Sequence, residues 1–186
     1  MSNRLLVALT LSLLAASTAH ADGFTVTSND VKDGGTLTQR QVFKGFGCTG
    51  ENVSPQLSWK GAPAGTKSYA ITVYDPDAPT GSGWWHWVVY NLPSSVTSVI
   101  SGAGDLTKNA LPAGAVQART DYGTPGFGGA CPPPGDKPHR YIVTVFALKV
   151  PKLEVPTDAT AALIGYNLNA NKLATATFTA RFGRDK

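Results

Sequence analysis

Short apolar runs, separated by stretches rich in Gly, Pro and polar residues, make up the hydrophobic pattern of this chain. Runs of this length predict an antiparallel β protein. The segment SYAITVY alternates small and large apolar residues, and RYIVTVFAL is expected to form a central strand covered on both faces. The predicted strands cover residues 24–27, 56–59, 68–74, 85–91, 141–148 and 175–182.

One segment, TDATAALIGYNLNANKL, has the periodicity of a helix instead. Leu163, Tyr166 and Ala170 recur at helical spacing. Thr157 is the predicted N-cap, with Asp158 in the first turn, where a negative charge is favourable. Without an internal repeat or a linker composition, these elements predict a single, mainly β domain with short helices.

The N-terminal segment MSNRLLVALTLSLLAASTAHA has the composition of a secretory signal peptide. Arg4 precedes an apolar run over residues 5–16, and Ala19 and Ala21 are the small residues of a cleavage site. The run is shorter than the roughly 20 apolar residues that span a bilayer, which argues against the alternative, an N-terminal membrane anchor. We predict a signal peptide at residues 1–21, a domain at residues 22–186, and a periplasmic or secreted protein.

Composition argues against two classes of partner and adds one covalent constraint. The formal net charge is only +4 at pH 7, and the Lys and Arg residues are scattered. Without a basic cluster, neither nucleic-acid binding nor attachment to an anionic membrane surface is expected. Cys48 and Cys131 most simply form one disulfide in an exported protein. A redox pair or a metal site is the alternative, although the two cysteines do not form a CxxC motif.

The stretch over residues 101–138 is dense in Gly and Pro, and only residues 116–120 have the pattern of a short strand. Long irregular stretches in compact domains are usually functional or disordered. A disulfide to Cys131 would pin this stretch to the rest of the domain, so we expect an ordered, functional loop.

Two acids and two histidines are candidate functional residues. Asp75 and Asp77 lie in DPDAP, directly after a predicted strand, and His86 and His139 stand where strongly apolar strands begin. At the mouth of a strand a side chain faces a cleft rather than a core. In one interpretation both carboxylates cap backbone N–H groups of a proline-stiffened turn. In the other, one carboxylate accepts a histidine N–H and fixes its tautomer, which leaves the second ring nitrogen for a ligand.

Tryptophans surround His86 in the segment GWWHWVV. On a regular strand Trp85 and Trp87 share one face, and Trp84 and His86 share the other. We expect one face to be core, and Trp84 to line a pocket wall beside His86. The sequence has no GxSxG, HExxH or GxxxxGK[ST] motif, and no GxGxxG follows a predicted strand. No motif therefore indicates a serine hydrolase, a zinc protease or a nucleotide-binding protein.

Three segments together resemble the phosphatidylethanolamine-binding protein family, also called the Raf kinase inhibitor-like proteins, and its bacterial branch in particular. They are FGCTGENVSPQLSW, APAGTKSYAITVYDPDAPTGSGWWHWVVYNLP and TDYGTPGFGGACPPPGDKPHRYIVTVFAL, and the resemblance runs over residues 24–184. It implies a large antiparallel sheet packed against a smaller one, with a small anion pocket at the ends of strands. The Ala78–Pro79 bond of that pocket is expected to be cis. The ligand-binding residues that the resemblance implies are Asp75, Asp77, Pro79, Trp84, His86, Cys131, Pro132, Pro133, His139 and Tyr141.

The resemblance implies an exported, non-catalytic binding protein for a small anion such as phosphate, acetate or a phospho-headgroup. The two aspartates would orient and charge the histidines rather than touch the ligand, so weak binding is expected. No cofactor, catalytic residue or metal ligand is assigned. Bacterial relatives suggest a homodimer, although no interface is legible in the sequence. The kinase inhibition of eukaryotic relatives is not carried over, because an exported protein does not meet that kinase.

Three alternative functions remain open at this point. The first is an interaction or inhibitor protein directed at a protease or a host protein. The second is a hydrolase or lyase that uses His86 or His139 as its base. The third is a metal site formed by Asp75, Asp77, His86 and His139.

Overall fold

The computed structural model describes residues 23–186, and the predicted signal peptide lies outside the described residues. Within this range the chain forms ten β-strands, one α-helix and a short 3₁₀-helix at Leu106–Lys108. None of these helices is both long enough and apolar enough to cross a membrane. The strands are β1 (Thr25–Thr27), β2 (Lys44–Gly45), β3 (Cys48–Thr49), β4 (Leu57–Lys60), β5 (Ser68–Asp75), β6 (Trp84–Pro93), β7 (Ser98–Val99), β8 (Val116–Gln117), β9 (His139–Leu148) and β10 (Lys172–Phe182), and the helix α1 is Ala161–Asn171.

The strands form two main antiparallel sheets, which confirms the mainly β fold. A five-stranded sheet has the order β10-β9-β5-β6-β8, and a three-stranded sheet has the order β1-β4-β7. The strands β2 and β3 form a separate hairpin. Every predicted strand is present, with its ends shifted by at most three residues. The short strands β2, β3 and β7 are not predicted, because two residues carry no readable periodicity.

The main core lies between the two sheets and confirms that a large sheet packs against a smaller one. Leu57 and Trp59 of β4 belong to the same buried cluster as Ile71 of β5 and Trp87 and Val89 of β6. Because successive side chains of a strand point to opposite faces, the other face of the large sheet needs a separate cover.

Helix α1 provides that cover on the outer face of the large sheet. Its buried residues Ile164 and Leu168 pack with Ala70, Val88 and Phe146. The strand β5 is therefore buried along nearly its whole length, as its continuous apolar run implies. For β9 the prediction of burial on both faces holds only at the C-terminal end, because its first half alternates buried and partly exposed residues.

The helix begins later than the sequence predicts. Its N-cap is Thr160, whose side-chain oxygen accepts the backbone N–H of Leu163 at 3.2 Å. Thr157 is not the N-cap, because it lies in a separate turn in which the Pro156 carbonyl accepts the N–H of Ala159. The prediction of a helix is correct, and the prediction of its cap is wrong.

Candidate functional site

A cavity of about 190 Å³ lies where three strands of the large sheet end or begin. Asp75 is the last residue of β5, Trp84 the first of β6, and His139 the first of β9. Antiparallel pairing brings these ends to one edge of the sheet, and Asp75 pairs directly with Trp84. The cavity is lined by Phe46, Asp75, Ala78, Pro79, Thr80, Trp84, His86, Tyr122, Cys131, Pro132, Pro133, His139 and Tyr141.

Nine of the ten residues implied by the resemblance line this cavity, and Asp77 is the exception. Sequence reasoning missed Phe46, Ala78, Thr80 and Tyr122. Phe46 and Tyr122 lie within the segments that carry the resemblance, so their aromatic side chains were a signal that could have found them. The Ala78–Pro79 bond in the DPDAP turn is trans, and the expectation of a cis bond is wrong.

A β-bulge places His86 in the cavity wall. In the β5–β6 ladder Val73 pairs with Trp87 and Tyr74 pairs with Trp85, so His86 is the extra residue. Beyond the bulge Trp87 packs in the core between the sheets, whereas Trp85 packs against the cluster on the helix side. The prediction that Trp85 and Trp87 share a face is wrong, because the bulge interrupts the two-residue period of the strand.

Asp75 combines the two roles considered for the DPDAP acids. Its Oδ1 accepts the backbone N–H groups of Asp77 at 2.8 Å and Ala78 at 3.2 Å. Its Oδ2 lies 2.7 Å from Nδ1 of His139, and both side chains are buried. A carboxylate can only accept, so His139 donates from Nδ1. On its other side, Nε2 of His139 lies 3.4 Å from a carboxylate oxygen of Asp136.

Asp77 holds Arg140 instead of lining the cavity. Its Oδ2 accepts Nε–H of Arg140 at 2.8 Å and the backbone N–H of Arg140 at 2.9 Å, and its Oδ1 accepts Nη2–H at 2.7 Å. The hydrogen bonds from Arg140 lower the pKa of Asp77 from 3.8 to about 2. The pair therefore contributes stability above pH 3.8 and loses it as the pH falls through about 2. This contact anchors the DPDAP turn to the start of β9, next to His139.

His86 is oriented by the loop that precedes Cys131. Its Nδ1 lies 2.8 Å from the carbonyl oxygen of Gly128, and the residue is 3% exposed. Because a carbonyl only accepts, Nδ1 carries the proton. Burial lowers the pKa of His86, although the hydrogen bond to Gly128 opposes this, and the neutral ring is favoured. The ring also meets Tyr122 and Tyr141 edge to face, with centroid distances of 5.6 and 5.0 Å.

Three buried polar atoms of cavity-lining residues have no hydrogen-bond partner within residues 23–186. They are Nε1 of Trp84, Nε2 of His86 and the hydroxyl of Tyr141. A buried polar group without a partner costs about 1–3 kcal/mol, and nearly all such groups in proteins are paired. Burial raises the pKa of the Tyr141 phenol, so the hydroxyl keeps its proton. This concentration of unpaired polar atoms suits a small polar ligand better than an apolar one.

A disulfide between Cys48 and Cys131 joins the β2–β3 hairpin to the loop over residues 127–133, which we call the cavity loop. The predicted pairing of the two cysteines is confirmed. The Cα atoms of the two cysteines are 6.0 Å apart. The side chain of Asn52 holds the same loop, because it accepts the N–H of Gly129 at 2.7 Å and donates to the carbonyl of Phe127 at 3.0 Å. The loop is thus fixed by one covalent bond and by hydrogen bonds on both sides of Gly128.

Two glycines allow this loop to pass close to its neighbours. A Cβ atom at Gly128 would clash with the ring of Tyr122. A Cβ atom at Gly129 would clash with the carbonyl oxygen of Gln41 and would lie 2.6 Å from the backbone nitrogen of Phe43. Only glycine fits at position 129, because the atoms it approaches belong to the backbone.

Phe46 forms an exposed aromatic rim at the mouth of the cavity. It lies in the turn between β2 and β3 with a φ of 53° and is 72% exposed. Its ring centroid lies 5.5 Å from that of Phe43 and 5.7 Å from that of Tyr122. The rings of Phe43 and Tyr122 stack on each other with their centroids 4.2 Å apart. The mouth is therefore apolar, whereas the unpaired polar atoms are buried deeper.

The four residues considered for a metal site do not form one. Within the described range, no group of three or more His, Cys, Asp or Glu side chains is arranged to hold a metal ion. Asp75 is directed at His139, and Asp77 is directed at Arg140.

Comparisons with known proteins agree with this fold. A family model described as phosphatidylethanolamine-binding protein matches residues 27–183. The UPF0098 protein YbcL of Escherichia coli (strain K12) is 57% identical over 175 residues, which is 94% of this chain and 95% of YbcL. Its crystal structure, described as that of a member of the mammalian PEBP family, has a TM-score of 0.84 and 58% identity and covers 86% of this chain and 98% of that chain.

Two further relatives differ in their degree of similarity. The UPF0098 protein YbhB of Escherichia coli (strain K12) is 50% identical over 155 residues, which is 83% of this chain and 97% of YbhB. The putative lipoprotein LppC of Mycobacterium tuberculosis is 34% identical over 140 residues, which is 75% of this chain and 62% of LppC.

Proposed function

Because the chain belongs to the phosphatidylethanolamine-binding protein family, we propose that it is an exported, non-catalytic protein whose cavity binds a small anion or a phospho-group. The observation that carries this proposal is the set of three unpaired polar atoms at Trp84, His86 and Tyr141 around one cavity. A bound ligand would supply the hydrogen-bond partners that these atoms lack.

The size and chemistry of the cavity support a small oxyanion. Its volume of about 190 Å³ lies below the roughly 300–1,000 Å³ of pockets for drug-sized ligands. The indole N–H of Trp84 and the hydroxyl of Tyr141 can both donate to anionic oxygens. The charge of Asp75 is already engaged by His139 and by two backbone N–H groups, which reduces its repulsion of an anion.

The states of Cys131 and Thr80, which line the cavity, favour binding over covalent catalysis by either residue. The sulfur of Cys131 is part of the disulfide. The hydroxyl of Thr80 donates to the carbonyl of Gly83. A hydroxyl or thiol nucleophile is commonly activated by a base within hydrogen-bond reach, and neither Cys131 nor Thr80 is engaged in that way.

Export is supported by the disulfide and by a relative. Disulfides persist in oxidising compartments and are rare in the cytosol. The matched relative LppC is named a putative lipoprotein, which is consistent with passage through the membrane. We expect expression of the full chain in a bacterium to give a periplasmic product whose intact mass corresponds to a chain beginning at Asp22. A cytoplasmic product that retains residues 1–21 contradicts export.

Replacing Tyr141 with phenylalanine tests the binding function. Tyr141→Phe removes an unpaired buried hydroxyl without changing the shape of the side chain, so unfolding free energy is expected to be unchanged or higher. The same change removes a donor to the ligand and is expected to weaken phosphate binding by roughly tenfold. Calorimetric titration with phosphate and thermal unfolding measure the two effects.

Tyr166→Phe is the matched control, because Tyr166 is 71% exposed on α1 and does not line the cavity. It should change neither phosphate affinity nor stability. If Tyr141→Phe binds phosphate as the parent does, or if the parent binds none, the proposed function is wrong.

A further inference from the structure

The environment of His86 determines which hydrogen-bond partner its second ring nitrogen requires. Nδ1 lies 2.8 Å from the carbonyl oxygen of Gly128, which cannot donate, so Nδ1 holds a proton in the neutral ring and in the charged ring alike. In the neutral ring Nε2 is therefore a lone-pair acceptor. This atom is buried and has no partner within residues 23–186.

The surroundings of His86 favour the neutral ring. The side chain is buried between the bulge of β6, the Gly128 loop and the start of β9. This burial lowers the pKa of His86 and outweighs the opposing contributions of the Gly128 and Gly129 backbone and of the nearby acids. The titratable groups that face it are the phenols of Tyr122 and Tyr141 and the carboxylates of Asp75 and Asp121.

The atoms available to a ligand are thus of two kinds. Trp84 Nε1–H is a donor only, and the Tyr141 hydroxyl is a donor to any anionic oxygen. His86 Nε2 is an acceptor and gains nothing from an oxygen that carries only lone pairs. A fully deprotonated anion would satisfy the two donors and leave His86 Nε2 unpaired in a buried position.

We infer that the cavity selects oxyanions that carry their own hydrogen-bond donor, such as hydrogen phosphate or a protonated phosphomonoester, over anions without one, such as sulfate. This inference rests on the proposed function, because it concerns the ligand of the same cavity. The donor of the ligand pairs with His86 Nε2, while its anionic oxygens accept from Trp84 and Tyr141. Sites built to pair a polar ligand group reject the analogue that lacks it.

Hydrogen phosphate and sulfate provide the sharpest test, because they have the same charge and similar size and differ by one proton. At about pH 8 phosphate is mainly a dianion that keeps one proton, since its second pKa is roughly 7, about one unit above that of a phosphomonoester. Titration of the mature chain at constant ionic strength should give a Kd for phosphate that is roughly 10- to 100-fold lower than that for sulfate. Equal affinities overturn the inference and leave the proposed function standing. If neither anion binds, both fail.

Methyl phosphate tests whether the affinity depends on the proton of the ligand or only on the presence of a phosphate group. At about pH 8 it has lost its last proton and should bind as weakly as sulfate, whereas at about pH 5 it keeps one proton and should bind like hydrogen phosphate. Sulfate measured at both pH values is the control and should stay weak. A parallel rise in sulfate affinity at about pH 5 would mean that a positive charge on a cavity histidine, His86 or His139, sets the affinity instead of the proton of the ligand, and it overturns the inference.

The protonation of His86 can be observed directly. Ring ¹⁵N chemical shifts of the phosphate complex should show one protonated and one unprotonated nitrogen, with Nδ1 protonated. Two protonated nitrogens in that complex overturn the inference. In His86→Gln the amide can donate as well as accept, so the phosphate-to-sulfate affinity ratio should fall towards one while a merely structural effect would weaken both anions equally.

Discussion

Removing the Cys48–Cys131 disulfide is expected to lower the free energy of unfolding by about 4 kcal/mol. The bond links residues 83 positions apart, so its loss returns a large conformational entropy to the unfolded chain. Chemical denaturation of the Cys48→Ala/Cys131→Ala double variant, compared with the parent, measures the difference. The double replacement avoids leaving an unpaired thiol in the variant.

Reduction of the parent is the matched control for this prediction. A reducing agent should destabilise the parent to about the level of the double variant and should leave the variant unchanged. Phosphate affinity should also fall in both, because the bond holds the hairpin of Phe46 against the cavity loop. A stability loss below about 1 kcal/mol contradicts the account of the disulfide as a major constraint.

Asp75→Ala is expected to cost about 3–5 kcal/mol of unfolding free energy and to abolish phosphate binding. The buried carboxylate accepts from two backbone N–H groups and from Nδ1 of His139, and alanine leaves all three donors without this partner. The orientation of His139 in the cavity wall is lost with them. Denaturant unfolding and calorimetric titration with phosphate measure the two losses.

The neighbouring acid provides the control for Asp75. Asp77→Ala breaks a partly exposed pair with Arg140, and exposed pairs contribute only about 0–1 kcal/mol. Asp77→Ala should therefore leave most of the stability and a measurable phosphate affinity. Equal losses in Asp75→Ala and Asp77→Ala would mean that the whole turn, rather than the buried carboxylate, is the critical element.

Asp75→Asn separates the two roles of the carboxylate. An asparagine oxygen can still accept from the turn, so stability should be higher than in Asp75→Ala. Its amide N–H₂ would face Nδ1 of His139 and require the other tautomer of that ring. Ring ¹⁵N chemical shifts of His139 report the tautomer, and an unchanged tautomer contradicts the proposed role of Asp75 in orienting His139.

The hydrophobic pattern was sufficient for the longer elements and not for their ends. Strands such as β5 and β9 follow from apolar runs that could only be buried in a sheet. In α1 the recurring residues Leu163 and Tyr166 indicated a helix but lie on its exposed side, whereas Ile164 and Leu168 are buried. Periodicity detects a helix without saying which side meets the sheet, because that depends on the partner surface.

The sequence predicted most of the residues of the candidate site but not the contacts that each of them makes. Both histidines and Asp75 were expected near one pocket, and the structure brings them to one edge of the sheet. The sequence could not show that Asp77 would bind Arg140 instead of lining the cavity. Both acids of DPDAP have the same side chain and similar neighbours, so nothing in the sequence distinguishes their partners. It also could not show the bulge at His86, since an unpaired residue is defined by the register of its partner strand.

The sequence by itself determined the longer strands, the helix, the pair of cysteines and most of the residues around the cavity, because local periodicity and long specific motifs carry that information. Only the tertiary structure decided which acid is buried, which way the tryptophans point and which polar atoms of Trp84, His86 and Tyr141 remain unpaired. These properties depend on contacts between residues far apart in the chain. The distance of 2.7 Å between Asp75 and His139, which are 64 positions apart, is one such contact.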